Sequence, residues 1–325
     1  MQLTARSEVW PLARTFRISR GARTEAVVVV AEITDGVTTG LGESVPYARY
    51  GETVERVIAD IEAMRNDVEN GLTRNALQQF MPAGAARNAL DCALWDFEAK
   101  RSGKRHWELA GLPAPSRIVT VETVSLDDVD VMRNEAAKIA HKPLLKMKLA
   151  DEGALDRIRA VHEGAPNSRI IVDANEGMDL STLVAIAPEL KALNVAMLEQ
   201  PFRVGEDAAL DDISCDVPLC ADESCHTTAD LAGLKGRYDF VNIKLDKTGG
   251  LTEALRLREA ALAEGFGIMV GCMMGTSLGM APAVLVAQGA EFVDLDGPLW
   301  MARDRDPGLH YEAEFVSPPD SVFWG

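Results

Sequence analysis

The sequence predicts an α/β protein, a small α+β unit leading into a closed β/α barrel. Three observations carry this. From residue 118 onward, eight short apolar or β-branched runs alternate with helical patterns, and strand–helix alternation implies parallel strands. Eight such units within about 180 residues is the number that closes a barrel. Ahead of them, three β-type runs precede two helical ones, the order of an α+β fold.

In the first unit, Leu3–Val9, Thr24–Thr34 and Val37–Glu43 read as strands, with Asp35-Gly36 as a hairpin turn between the last two. Thr53–Glu69 sets Val54, Val57, Ile58, Ile61 and Met64 three and four apart, one apolar helix face. Ala85–Arg101 repeats the pattern with Ala89, Leu90, Ala93, Leu94 and Phe97. Leu112-Pro113-Ala114-Pro115 reads as a linker. The barrel runs are IVTVETV from Ile118, PLLKMKL from Pro143, RIIVDA from Arg169 and NVAMLEQ from Asn194. VPLCAD from Val217, DFVNIKL from Asp239, FGIMVGC from Phe266 and EFVDLD from Glu291 complete the set. Helical stretches such as Asp128–Ala140, Leu155–Glu163 and Leu251–Ala263 fill most gaps.

Composition narrows the partners. Of 325 residues, 33 are Lys or Arg and 50 are Asp or Glu, a net charge of −17. That balance argues against coating nucleic acid and against docking on anionic lipid, both of which need a basic face. The five cysteines form no CxxC pair, so neither a disulfide framework nor a zinc ribbon is expected. The opening run MQLTARSEVWPLART lacks the apolar core of a signal peptide, and no run is long enough to cross a membrane, so a cytoplasmic location is expected.

The chemistry gathers at the strand ends, which face the active site of such a barrel. Lys146 and Lys148, Asp173, Glu199, Asp222, Lys244, Cys272, then Asp294 and Asp296 close successive runs. From Lys148 to Lys244 the intervals are 25, 26, 23 and 22 residues, so ionisable groups recur at one place in five consecutive units. Asp173, Glu199 and Asp222, on adjacent strands, would repel one another without a cation. An all-oxygen set favours magnesium, or manganese, over zinc. None of the five histidines falls at a strand end; His162 and His226 sit in helical patterns. Alternation puts Lys146 and Lys148 on one face, and Lys148 and Lys244 across the barrel from each other. A nearby ammonium, a divalent ion and desolvation would each lower a lysine pKa toward the range of a base. Two bases on two faces of one carbon, above a metal that stabilises an enediolate, describe a 1,1-proton transfer, an epimerisation or racemisation. A charge network that merely neutralises the carboxylates is the competing account.

The motifs Lys146-Met147-Lys148, Val172-Asp173-Ala174-Asn175, Leu198-Glu199-Gln200-Pro201, Ala221-Asp222-Glu223-Ser224 and Asn242-Ile243-Lys244 resemble, in order, those of the enolase superfamily, muconate lactonizing enzyme subgroup. The resemblance runs along essentially the whole chain. It implies a modified (β/α)7β TIM-type barrel, residues 116–305, beneath an N-terminal α+β capping domain, residues 1–115, to which residues 306–325 return. Within the subgroup the chain is similar to the dipeptide epimerases. Asp294-Leu295-Asp296 matches the motif that these enzymes use for the substrate's free ammonium, and Thr123 matches a substrate-contacting threonine. Arg23 aligns with the cap arginine that meets a glutamate side chain, with Arg20 a second candidate and Arg49 a lid element beside them. Cys272 is placed to line the pocket without a nucleophile's role, since no histidine stands by to activate it.

What the resemblance implies is metal-dependent epimerisation of L-Ala-D-Glu to L-Ala-L-Glu. Lys148 and Lys244 would be the bases, Asp173, Glu199 and Asp222 the Mg2+ ligands, and Lys146, Thr123, Asp294, Asp296, Arg23 and Cys272 the substrate contacts. The setting would be cytoplasmic murein-peptide metabolism with a small-molecule dipeptide as partner, and barrels of this sort often assemble as homo-oligomers. The alternatives are o-succinylbenzoate synthase or N-acylamino acid racemase activity of the same subgroup, or a silent barrel that binds anions or metal. Asp294 and Asp296 discriminate, because an uncharged acyl end does not call for two carboxylates.

Overall fold

The computed structural model describes residues 1–150, 152–211 and 213–325. The first sheet is an antiparallel meander of β1 (Gln2–Ile18), β2 (Gly21–Thr34) and β3 (Thr39–Ser44). β1 is far longer than its apolar signal, because pairing with β2 resumes at Phe16 opposite Arg23 after a register shift beyond Pro11. The hairpin at Asp35-Gly36 forms as expected, with Gly36 at φ +87°.

Helices α1 (Val54–Ala63), α2 (Arg65–Glu69), α3 (Arg74–Phe80), α4 (Ala85–Ser102) and α5 (His106–Leu109) follow. Thr53 caps α1 by accepting the Arg56 N–H, and the expected single helix to Glu69 breaks at Met64. α4 is the strut of the molecule. One face lies so close on β3 that a Cβ at Gly40 would strike the Ala93 and Phe97 backbone, and one at Gly42 the Ala89 carbonyl. The other face is bonded to the barrel. Arg87 donates to the Thr248 and Gly249 carbonyls at 2.6 and 3.0 Å, and Asn88 to Asp246 at 2.9 Å. Asp91 and Trp95 meet Thr252 at 2.7–2.9 Å.

After β4 (Ile118–Val119), the barrel runs β5 (Glu122–Val124), α6 (Val129–Lys138), β6 (Leu144–Lys148), α7 (Ala154–Gly164), β7 (Arg169–Asp173), α8 (Leu180–Leu190) and β8 (Val195–Glu199). It continues through β9 (Leu219–Ala221), α9 (Leu231–Leu234), β10 (Phe240–Ile243), α10 (Leu245–Thr248), α11 (Leu251–Ala263), β11 (Gly267–Val270), α12 (Ser277–Val286) and β12 (Phe292–Val293). The eight strands β5–β12 form one parallel sheet in sequence order, and the Val121 N–H reaches the Val293 carbonyl across its two ends at 2.9 Å. The expected strand 118–124 is split. Val119 pairs with a late strand instead, and the chain enters the barrel only after Thr120. Between β8 and β9 a 3-10 turn at Asp207–Leu210 stands among the described residues where a helix would.

Alternation along the strands builds the interior in layers. Leu144, Ile171, Met197, Cys220, Met269 and Phe292 pack inside as an apolar floor. Two residues further up, the same face carries Lys146, Asp173, Glu199, Asp222 and Asp294, while Leu145, Met147, Val172 and Leu198 join the outer core against the helices. The site is therefore built on an apolar base. Beyond the barrel, β13 (Tyr311–Glu312) and β14 (Phe315–Val316) pair with β4. The chain then crosses to the first unit, where Trp324 donates to the Leu41 carbonyl at 3.0 Å and Gly325 to Asp96 at 2.7 Å. Among the described residues no helix is long and apolar enough to cross a membrane.

Candidate active site

Asp173 and Glu199 end β7 and β8, Asp222 directly follows β9, and one oxygen from each lies within 4.8 Å of the others. All three are buried. Asn242 donates to Glu199 Oε1 at 2.7 Å and fixes its plane, while the Asn175 N–H does the same for Asp173 at 2.9 Å. Glu199 Oε2 receives no directed hydrogen bond, although Lys146 Nζ lies 2.8 Å away. Burial and then the Asp173 charge push Glu199 up to about 7. Burial also works against Asp173, but Lys146 and Lys148 outweigh it and hold that carboxylate below its ordinary range. Three converging hard oxygens, one without a hydrogen-bond donor, suit a magnesium ion, and among the described residues no histidine or cysteine joins the set to favour zinc.

Four lysines surround this row. Lys148 donates to Asp173 and Lys244 to Asp222, each at 2.6 Å, while Lys247 takes the other Asp222 oxygen at 2.7 Å. Lys146 sits among Asp173, Glu199 and Asp294 at 3.1, 2.8 and 2.8 Å. The depressed pKa expected for a base lysine counts on a divalent ion beside it. Burial lowers Lys146 and Lys244, but the carboxylates (Asp173 first for Lys146, Asp222 for Lys244) outweigh it and hold the ammoniums above their ordinary range.

Above the row is a cavity of about 490 Å³. Of the four lysines only Lys148 and Lys244 border it; Lys146, expected to meet substrate, lies fully buried beneath. Thr123, Cys272, Asp294 and Asp296 form one wall. Asp296 accepts the Thr123 N–H at 2.8 Å and the Trp300 indole at 3.3 Å, and burial followed by Asp294 pushes it up to about 7. Burial and the carboxylates of Asp294 and Asp296 raise the Cys272 thiol, which disfavours its thiolate. This corner offers two acceptors to an ammonium group.

The roof comes from the first unit: Phe16, Arg20 and Arg23 from the β1–β2 end, Tyr47, Arg49 and Tyr50 from the loop after β3. Arg20 is already engaged, with Glu223 at 2.8 Å, Glu176 at 3.1 Å and the Tyr47 hydroxyl at 2.9 Å. Arg49 grips Glu176 side-on at 2.8 and 2.6 Å. Arg23 pairs with no carboxylate among the described residues and lies over the Tyr47 ring at 5.6 Å. Sequence reasoning missed Glu176, Glu223 and Tyr50. His226 is not in a helix but in the bend after Asp222, edge-on to Tyr50 at 4.6 Å.

Comparison with known proteins agrees with this geometry. Residues 131–321 match the family described as enolase C-terminal domain-like, and residues 1–111 the mandelate racemase / muconate lactonizing enzyme N-terminal domain. The chain is 47% identical to the L-Ala-D/L-Glu epimerase of Escherichia coli (strain K12), over 94% of this chain and 95% of that one. It is 45% identical to an N-acetyl-D-glutamate racemase of a Pseudoalteromonas species, over 92% and 95%. A crystal structure of an enolase family member from Agrobacterium tumefaciens, with homology to dipeptide epimerases and with bound sodium and L-Ala-L-Glu, superposes with a TM-score of 0.98 at 55% identity, covering 100% of this chain and 99% of that one.

Proposed function

The chain belongs to the mandelate racemase / muconate lactonizing enzyme family of the enolase superfamily, and from that premise we propose that it interconverts L-Ala-D-Glu and L-Ala-L-Glu. One observation carries the reading: Lys148 on β6 and Lys244 after β10 border the same cavity from opposite ends of the carboxylate row. We divide the chain accordingly into a cap of residues 1–115, a barrel of 116–305 and a returning segment of 306–325.

The substrate lies with its α-carboxylate toward Asp173, Glu199 and Asp222, and its glutamate Cα between the two lysines. Asp173, Glu199 and Asp222 would hold a magnesium ion, which when bound would supply positive charge to the substrate carboxylate and offset the carboxylate field around Lys244. One lysine takes the Cα proton from its face, and the other, protonated, returns one to the opposite face. Carbon inverts and nothing else changes. Lys146, buried below, balances the carboxylates. Asp294 and Asp296 accept hydrogen bonds from the alanine ammonium, Thr123 and Cys272 close that wall, and Arg23 meets the side-chain carboxylate with its fork. The dipeptide is one that murein breakdown releases in the cytoplasm. N-acylamino acid racemisation and o-succinylbenzoate synthesis fit less well, since neither substrate brings a cation to the Asp294/Asp296 corner.

Turnover in deuterated water with Mg2+ is the test. L-Ala-L-Glu should gain one mass unit at the glutamate Cα as the second diastereomer forms. Exchange of N-acetylglutamate but not of any dipeptide would move the assignment to the racemase, and exchange of neither would end it.

A further inference from the structure

Glu176 stands outside the proton transfer, yet four donors from three segments converge on its carboxylate. Arg49 Nε and Nη2 bind it at 2.8 and 2.6 Å, Arg20 Nη1 at 3.1 Å and the Val204 N–H at 3.0 Å. Arg20 and Arg49 belong to the two loops that roof the cavity, and Val204 to the barrel loop after β8. Backbone conformation singles the residue out as well. Asn175 and Glu176 both lie in the left-handed region, at φ +44° and +63°, which glycine adopts freely and glutamate does not. The Glu176 side chain is 5% exposed, whereas those of Arg20 and Arg49 are 27% and 40% exposed. A desolvated anion thus holds two cations that water can reach.

We propose that Glu176 is a positioning residue for substrate, the anion that keeps both roof loops down and so sets where Arg23, three residues beyond Arg20, meets the dipeptide side chain. This deepens the epimerase reading and rests on it. Glu176 bonds to neither Lys148 nor Lys244, so its charge acts on binding and not on the proton transfer. It also leaves Arg23 free, because it and Glu223 absorb the charges of Arg20 and Arg49.

The test compares Glu176→Gln, which keeps size and loses charge, with Arg49→Gln, which breaks the join from the cap side. Each should raise KM for L-Ala-L-Glu about tenfold with kcat within about threefold. The double variant should be no worse than the poorer single one, because both remove the same link. In ligand-free protein, trypsin should cut after Arg20 several-fold faster in both variants. Unchanged KM in both, KM effects that multiply in the double variant, kcat loss in step with KM, or unchanged cleavage would each overturn the proposal. The tryptic reading needs no substrate, so it judges the join even if the wild-type chain turns over no dipeptide. Should Glu176→Gln fail to fold, Arg49→Gln, at a side chain 40% exposed, decides the matter by the same KM and cleavage measurements.

Discussion

At the scale of single residues, the proposed chemistry divides the site into groups placed to touch the reacting carbon and groups that decide what arrives there. Replacing Lys148 or Lys244 by Ala should each cut epimerisation by about 10³-fold or more, the size of a positioned acid or base. One of the two variants should still wash deuterium into a single stereoisomer, since the base for that face survives, and full activity in either would contradict two-base chemistry. Arg23→Gln should lower kcat/KM for L-Ala-L-Glu about 30–100-fold, the worth of a charge-assisted hydrogen-bond pair. L-Ala-L-Leu should change less than about threefold. Equal losses with both dipeptides would show that Arg23 does not read the side chain. The strand-end carboxylates and lysines were legible in the sequence because the barrel repeats and each group closes an apolar run. The depth of Lys146 was not. Alternation puts it on the same face as Lys148, but two residues of strand rise set it about 6–7 Å lower, among carboxylates that only the closed barrel brings together. Glu176 was illegible for another reason: its partners lie 127 and 156 residues away, in loops without periodicity.

Among the elements, the terminal segment is the one whose burial makes the sharpest claims. Trp324 is fully buried and bonds to the carbonyl of Leu41, so Trp324→Ala should cost about 3–5 kcal/mol in urea unfolding. His106, on α5, packs against Trp324 with ring centroids 5.0 Å apart and bonds to the Gly325 carbonyl at 3.1 Å. Burial lowers its pKa from 6.5 to about 4. Between those values the unfolded chain binds a proton that the folded chain does not, so this contribution is intact above pH 6.5 and drains as pH falls toward 4. The loss amounts to about 3 kcal/mol at most, and the difference in stability between wild type and His106→Gln, followed from pH 7.5 to 4.5, should narrow across that window. A difference that stays constant would remove the imidazole from the account. The helices and most strands here follow their apolar patterns, whereas β1 outran its own. Arg6, Glu8, Arg14 and Arg17 interrupt the apolar signal along an edge strand whose length is set by its partner.

For the molecule as a whole, the metal row and the fold should be thermodynamically linked. Magnesium at about a hundred times its Kd should stabilise the folded chain by about 2.7 kcal/mol, read as a rise in Tm, and Glu199→Gln should abolish most of that rise. Hydrogen exchange extends the test to motion. Amides of β3 and α4 should stay protected with and without magnesium and dipeptide, while residues 19–23 and 47–51 gain protection on binding. Slowed exchange across the whole first sheet would mean that the cap swings as a body. The seat of α4 on Gly40 and Gly42 argues otherwise, since that helix is wedged on one side and bonded to the barrel on the other. It works as a keel. The frame above the reacting carbon is braced, and two short roof segments are left to vary, so a new taste in dipeptide side chains can be engineered by rewriting those segments while the inverting machinery stays untouched.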